Sequence, residues 1–81
     1  MAQLKPGTVV QALSGRDKNR LFCAVAVENE YVFIVDGKTR TLKRPKRKNP
    51  KHVKATNWVV AAEQTTTNKG IRRALHALSE R

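Results

Sequence analysis

The sequence predicts one small, mainly β domain, a barrel of about five antiparallel strands with an α-helix at its C-terminal end. Residues 8–37 contain three short runs rich in valine, isoleucine and aromatic residues, each bounded by turn-forming residues, as β-strands are. Residues 68–80 instead repeat apolar side chains at helical spacing. The length of 81 residues allows a single core and leaves little room for an enzyme active site of ordinary size.

The first three strands are predicted over residues 8–13 (TVVQAL), 21–28 (LFCAVAVE) and 31–37 (YVFIVDG). Asn29 and Glu30 link the second strand to the third as a short turn, which predicts an antiparallel meander. The second strand is apolar on both faces, whereas a half-exposed strand is polar on one of them. It is therefore predicted to lie in a closed barrel whose outside is covered, with the C-terminal segment as the candidate cover.

The composition changes abruptly after the third strand. Residues 38–54 (KTRTLKRPKRKNPKHVK) contain nine lysines and arginines and no acidic residue. Residues 39–42 suit a fourth strand, because threonine and leucine fit a pleated sheet. The prolines within residues 43–51 lack backbone donors, so this stretch is expected to be an extended, exposed basic loop.

The fifth strand is the hardest to place. It is expected at residues 53–56 (VKAT), at residues 58–62 (WVVAA) or as a bent run through both, with residues 58–60 as its buried part. We therefore assign residues 1–62 to the barrel and residues 63–67 to a polar connector.

The C-terminal helix is predicted over residues 68–80, with Thr67 or Asn68 as its N-cap. Its apolar stripe, spaced at i, i+3, i+4 and i+7, consists of Ile71, Ala74, Leu75 and Leu78. Because so short a helix is marginal in water, it is expected to form by docking this stripe on the sheet. Arg72 and Arg73 lie off the stripe and face solvent or a partner.

The charge balance predicts a polyanionic partner. Seventeen lysines and arginines against six acidic residues give a formal net charge of +11, and the pI is about 10.8, above the value of about 9 that suggests nucleic-acid binding. The cations of residues 38–54 repel one another, since their spacing lies within a Debye length of roughly 8–10 Å. A bound polyanion would relieve this repulsion, but composition alone does not separate RNA from DNA.

A second cationic segment is the loop SGRDKNR at residues 14–20, between the first two predicted strands. Gly15 can adopt a positive φ or admit a sugar–phosphate closely, and the loop's arginines and lysine can donate hydrogen bonds to phosphates. Composition supports equally well a solvated hairpin loop in which Asp17 pairs with a neighbouring cation.

The stretch PGTVVQALSGRDKNRLFCAVAVENEYVFIVDG resembles a KOW motif, a short segment of several ribosomal proteins and of transcription elongation factors of the antitermination type. The likeness lies in the strand that begins at Gly7, in Gly15 with its charged loop, and in the strands that close at Asp36 and Gly37. Asn19 stands where many KOW loops have glycine, and the turn is expected to survive because asparagine also tolerates positive φ.

The continuation DGKTRTLKRPKRKN and the ending TNKGIRRALHAL resemble more narrowly the KOW-type large-subunit ribosomal proteins of archaea and eukaryotes, and most of all their small bacterial relatives, the KOW-domain RNA-binding proteins. The likeness covers roughly residues 5–80. It implies an SH3-like barrel of about five antiparallel strands that contacts RNA.

We therefore predict a non-catalytic, cytoplasmic RNA-binding protein of the translation machinery that contacts structured, ribosomal RNA through its basic loops, with ribosomal proteins as further partners. The predicted RNA-binding residues are Gly15, Arg16, Lys18, Asn19, Arg20, Lys38, Arg40, Lys43, Arg44, Lys46, Arg47, Lys48, Lys51, His52 and Lys54. Two alternatives stay open. One is a protein-interaction module that uses Arg72 and Arg73, and the other is a nonspecific DNA-binding protein.

The sequence contains no residue pattern that supports another function. No carboxylate pair or nucleophile–base arrangement suggests catalysis, and His52 and His76 stand too far apart to predict a metal site, so no cofactor, metal or small-molecule substrate is expected. The single cysteine, Cys23, is expected to be buried. The first residues lack an apolar signal region and the longest apolar run is too short to span a membrane, so a cytoplasmic protein without membrane contact is expected. Among the aromatic residues, Trp58 is expected in the core and Tyr31 is the best candidate for stacking on bases.

Overall fold

The computed structural model describes residues 4–79, within which the chain forms a five-stranded antiparallel sheet and one C-terminal α-helix. The strands are β1 (Thr8–Ala12), β2 (Leu21–Val27), β3 (Val32–Val35), β4 (Lys46–Lys48) and β5 (Val53–Val59), and the helix is α1 (Asn68–Ser79). Short 3-10 helices occupy Pro50–His52 and Ala62–Gln64. The predicted mainly β fold with a C-terminal helix is thus confirmed. Positions 1–3 of the predicted domain and position 80 of the predicted helix lie outside the described residues.

The strands are ordered β4-β3-β2-β1-β5, so the three-strand meander predicted for residues 8–37 forms the centre of the sheet. Strands β4 and β5 are its edges, and in the described part of the chain they do not pair with each other. The arrangement is consistent with a small SH3-like barrel, but the sheet of the described residues is not closed, so the expectation of a closed barrel around β2 is wrong.

Apolar side chains fill both faces of the sheet, as predicted for β2. On one face Cys23 packs with neighbouring valines and with Ile71 and Leu75 of α1. On the other, Phe22, Ala24 and their neighbours on β1, β3 and β5 are also buried, although no helix of the described residues covers them. The sheet therefore curves around this second face, which we call the concave face. Burial raises the pKa of the Cys23 thiol from 9.0 to about 11.

Helix α1 forms where the apolar spacing predicts it. The Thr67 hydroxyl accepts a hydrogen bond from the Gly70 N–H at 3.0 Å, which makes Thr67 the N-cap. Ile71 and Leu75 are buried against the sheet, and Ala74 and Leu78 complete the predicted stripe as partly buried neighbours. Across residues 4–79, no helix has the length and apolar character needed to cross a membrane.

The prediction for residues 39–51 is wrong in its placement of the fourth strand. Residues 39–42 lie in a turn region with a single bridge between Thr41 and Arg44, and β4 follows at Lys46–Lys48, paired with β3. Residues 43–51 are therefore not simply an exposed loop. The prolines are compatible with this strand because they flank its three paired residues, and β4 is an edge strand.

The expectation that residues 58–60 are buried is also wrong for two of the three. Trp58 is 42% exposed and Val59 is 55% exposed, whereas Val60 is buried. The cause is a bulge: from Thr8 to Val10 the partner positions on β5 run from Val59 to Ala55, so β5 uses more residues than β1 over this stretch. The Thr56 hydroxyl fills the gap, donating to the Val9 carbonyl at 2.6 Å and accepting from the Trp58 N–H at 3.2 Å.

The turn after β3 seats the helix on the sheet. The Asp36 carboxylate accepts hydrogen bonds from the backbone N–H groups of Lys38 and Arg40 at 2.9 and 2.7 Å. Gly37, which directly follows Asp36, has a φ of +80°, and the backbone of α1 at Asn68 and Arg72 fills the space that a Cβ atom would need. The Asn68 side chain also accepts from the Leu42 N–H at 2.8 Å. The turn and the first helical residues therefore fix each other.

Replacing Gly37 by alanine is expected to lower the free energy of unfolding by about 3 kcal/mol, because the left-handed backbone disfavours a Cβ and α1 must also move away. Gly15→Ala is the matched control. Gly15 has a φ of +82°, but the nearest atom to its added Cβ is the flexible Lys48 Nζ at 3.8 Å, so a loss of only about 1 kcal/mol is expected. Urea unfolding measures both variants, and equal losses would contradict the docking of α1 on Gly37.

Candidate nucleic-acid interface

The loop between β1 and β2 is an ordered turn. The Asn19 N–H donates to the Ala12 carbonyl at 2.7 Å, and the Ala12 N–H donates to the Arg20 carbonyl at 3.0 Å, which closes the base of the loop. Asn19 has a φ of +72° and Gly15 is likewise left-handed. The turn therefore survives with asparagine at this position, as predicted.

A network of charges lies at the foot of this loop. The two oxygens of Asp17 accept from Arg20 Nη1 at 3.2 Å and from Lys46 Nζ at 3.3 Å. Arg20 Nη2 also donates to Asp36 Oδ2 at 3.0 Å, so one guanidinium bridges two carboxylates. We call these four residues, Asp17, Arg20, Asp36 and Lys46, the charge hub. It joins the β1–β2 loop, the turn after β3 and strand β4.

The charge hub stabilises the ionised form of Asp17. Burial raises the pKa of this carboxyl, but the hydrogen bond and charge of Lys46, with the charges of Arg20 and Arg40, lower it by more in total. The pKa therefore lies below the ordinary value of 3.8. Asp17 is consequently an anion at neutral pH, and it neutralises part of the surrounding positive charge.

Lys48 makes a second contact between β4 and the β1–β2 loop. In the β3–β4 pairing, Lys48 stands opposite Val32 and Lys46 opposite Ile34, so both stems lie over the concave face. Lys48 is only 8% exposed, and its Nζ donates to the Ser14 carbonyl at 3.1 Å. The two cationic segments that the sequence indicates separately are therefore in direct contact.

The predicted RNA-binding cations divide into two groups. Arg20, Lys46 and Lys48 are held by the internal contacts described above, and Arg40 is partly buried with its Nε lacking a hydrogen-bond partner in the described residues. The others have exposed side chains: Arg16, Lys18, Lys38, Lys43, Arg44, Arg47, Lys51, His52 and Lys54. Within the first group, the Arg20 side chain is also 48% exposed despite its ion pairs. The second group is accessible to a ligand.

The candidate stacking residue Tyr31 already has a partner. The Arg47 guanidinium lies over its ring, with Cζ 4.5 Å from the ring centroid, a cation–π geometry. Tyr31 is only partly exposed, whereas Trp58, expected in the core, is the more exposed aromatic. Neither result could be predicted from the spacing of residues in the sequence. The contact of Tyr31 with Arg47 depends on the position of β4, and the exposure of Trp58 depends on the bulge in β5.

The exposed cations of this surface can attract phosphates electrostatically. Among residues 4–79, no three histidine, cysteine or acidic side chains lie close enough together to hold a metal ion.

No protein-family model matches the chain, and no curated protein sequence matches it either. The resemblance to KOW-domain proteins stays a prediction that rests on the residues quoted above.

The two groups of cations are expected to differ in their effect on stability. Lys48→Ser removes a buried stem and a charge-assisted hydrogen bond, and should lower the free energy of unfolding by about 2 kcal/mol. Arg47→Ser removes one exposed cation–π contact, and should cost about 0.5 kcal/mol. Lys48→Met, which keeps the stem, should fall between them. If urea unfolding shows Lys48→Ser to be no more costly than Arg47→Ser, the structural role of Lys48 is wrong.

Asp17→Asn should make the protein less stable near neutral pH but not in acid. Because the pKa of Asp17 is lower in the folded state, its contribution is present above the unfolded pKa of about 3.9 and is lost as the pH falls through the folded value. We expect a loss of about 1 kcal/mol at neutral pH that disappears in strong acid. Glu28→Gln, which removes an exposed carboxylate with no ion pair in the described residues, is the control. A loss that is the same at both pH values would contradict the ion pairs.

Proposed function

We propose that this is a non-catalytic RNA-binding protein that holds structured RNA, of the ribosomal type, by its phosphate backbone. The observation that carries the proposal is the contact between the two cationic segments. Arg16 and Lys18 flank Asp17 in the chain, and Arg47 flanks Lys46, so exposed cations of both segments border the charge hub. A single backbone can therefore contact both segments at once.

The division of the cations supports phosphate binding. The carboxylates of the charge hub, Asp17 and Asp36, are turned inward and bound to Arg20 and Lys46. The exposed cations are left without ion-pair partners in the described part of the chain. Such a surface binds phosphates by Coulomb attraction and by release of counterions. It gives affinity and orientation rather than a choice of base sequence.

The preference for RNA over DNA rests on the KOW resemblance, which also favours a cytoplasmic role in translation with ribosomal proteins as neighbours. Recognition of a folded RNA by shape agrees with the few aromatic residues of the chain. Tyr31, the candidate base platform, has Arg47 over its ring. We therefore expect folded RNA to be bound better than an unpaired strand.

Affinity for a folded ribosomal RNA fragment should exceed affinity for a matched DNA duplex, and should fall steeply with salt. Replacing Arg16, Lys18, Arg44 and Arg47 together by serine should reduce the slope of log K against log salt by about 3, at roughly 0.7–0.9 per phosphate contact. The fold should be intact, because all four side chains are exposed. Fluorescence anisotropy over a salt series measures both quantities.

Lys5→Ser is the control, because Lys5 is exposed and lies outside both segments. It should leave the slope nearly unchanged. Equal affinity for RNA and DNA would contradict the RNA claim and favour the nonspecific DNA-binding alternative. An unchanged slope in the fourfold variant would contradict the proposed surface.

A protein-interaction module is the second candidate, and the exposure of Trp58 and Val59 on the edge strand β5 favours it. Sedimentation of a lysate with and without nuclease distinguishes the two. RNA binding predicts migration with large ribosomal particles that nuclease abolishes. A nuclease-resistant complex that is lost in Trp58→Ser would instead support the protein-interaction function.

A further inference from the structure

A groove lies between α1 and the turn after β3, and its lining includes Arg72 and Arg73, the two residues that the protein-interaction alternative assigns to a partner. It consists of two depressions of about 350 and 550 Å³ whose linings share Lys38, Arg72 and His76. Arg20 of the charge hub lines the first depression, and Lys69 and Arg73 line the second. Five of these six side chains are lysines or arginines.

The helix supplies most of this charge as a second stripe. Lys69, Arg72, Arg73 and His76 follow one another at i, i+3, i+4 and i+7, so they share one face of α1. All four are exposed, while the apolar stripe on the opposite face of the helix packs on the sheet. The spacing of these four basic residues is present in the sequence, but the apolar stripe of the same helix is the stronger pattern there.

Apart from Arg20, which is paired with Asp17 and Asp36, the lysines and arginines of the groove form no ion pair within residues 4–79. The one carboxylate in its lining, Asp36, is buried and accepts from Arg20 and from two backbone N–H groups. No ion pair of residues 4–79 includes Lys38, Lys69, Arg72 or Arg73. Like charges at helical i, i+3 and i+4 spacing destabilise a helix, so a bound anion would stabilise α1.

The shape and position of the groove favour a phosphodiester backbone over a small anion. The basic stripe extends over about 10 Å of helix, at 1.5 Å per residue, which is long enough to face more than one phosphate. Arg20 belongs to the charge hub, and Lys38 begins the basic residues 38–54. Both line the groove, so they connect the basic stripe of α1 with these two regions. A membrane surface fits less well, because the apolar stripe of α1 is buried against the sheet and is not available to insert into lipid.

We propose that this groove is a second phosphate-binding surface, which continues the RNA-binding surface from the charge hub across Lys38 onto α1. The inference rests on the proposed RNA-binding function. It assigns Arg72 and Arg73 to RNA rather than to a protein partner. The helix then serves two purposes, since one stripe completes the core and the other binds RNA.

The test compares two triple variants with equal loss of charge. The groove variant carries Lys69→Gln, Arg72→Gln and Arg73→Gln, because glutamine retains helix propensity. The hub-side variant carries Arg16→Gln, Lys18→Gln and Arg44→Gln. Binding of each to one folded ribosomal RNA fragment is measured over a salt series, with circular dichroism as a check on the fold. We expect the groove variant to bind at least about tenfold more weakly, with the salt slope reduced by about 2.

The outcomes separate the two proposals. If the wild-type protein binds the folded RNA no more tightly than it binds a matched DNA duplex, both proposals are wrong. If the hub-side variant loses affinity while the groove variant keeps the wild-type affinity and slope, RNA binding stands and the groove proposal is overturned. Binding of the same variants to phosphatidylserine vesicles is measured in parallel. If the groove variant loses binding to these vesicles but not to RNA, the groove proposal is likewise overturned.

A measurement on the wild-type protein covers the case in which the groove variant fails to fold. Lysine acetylation, followed by mass spectrometry with and without the RNA fragment, reports which amines the RNA covers. Lys38 and Lys69 should be protected at least about fivefold, as expected for direct phosphate contact, and Lys5 should react equally under both conditions. Full reactivity of Lys69 in the RNA complex would overturn the proposal.

Discussion

The bridging of Asp17 and Asp36 by Arg20 is the interaction on which the rest of the structure depends. It ties the β1–β2 loop to the turn after β3, and Lys46 extends the same network to strand β4. The turn held by Asp36 in turn supports α1 at Gly37. In a chain of net charge +11, two inward carboxylates therefore hold together the segments in which positive charge is densest.

This arrangement gives similar residues different tasks. Lys46 and Lys48 point toward the β1–β2 loop with their stems over the concave face, whereas Arg47 between them faces outward. The alternation of a β-strand thus sorts three consecutive cations into structural and accessible ones. Helix α1 sorts its residues in the same way, with an apolar stripe inward and a basic stripe outward. The RNA-binding surface that we propose is the outward half of both patterns.

Local patterns predicted much of this fold. The meander of residues 8–37, the helix with Thr67 as its cap, and burial of Cys23 follow from periodicity and turn residues near one another in the chain. Strand β4 was not predictable in this way, because a run of cations between prolines becomes a strand only by pairing with β3. Its lysines are then held by Asp17 and Ser14, about thirty positions earlier in the chain. Likewise, Trp58 is exposed because of the bulge in β5. The two cationic segments come together only when the β1–β2 loop and strand β4 are both folded. The basic stripe of α1, by contrast, could have been found from its spacing.

The central claim is that the exposed cations around the charge hub bind structured RNA while the hub itself stays intact. Titration of isotope-labelled protein with a folded ribosomal RNA fragment, followed by NMR, tests this claim most directly. The account predicts large shifts in the side-chain signals of Arg16, Lys18 and Arg47, and nearly unchanged signals for Lys46 and Lys48. Shifts confined to β5 around Trp58, or release of Lys46 from Asp17 on binding, would contradict it.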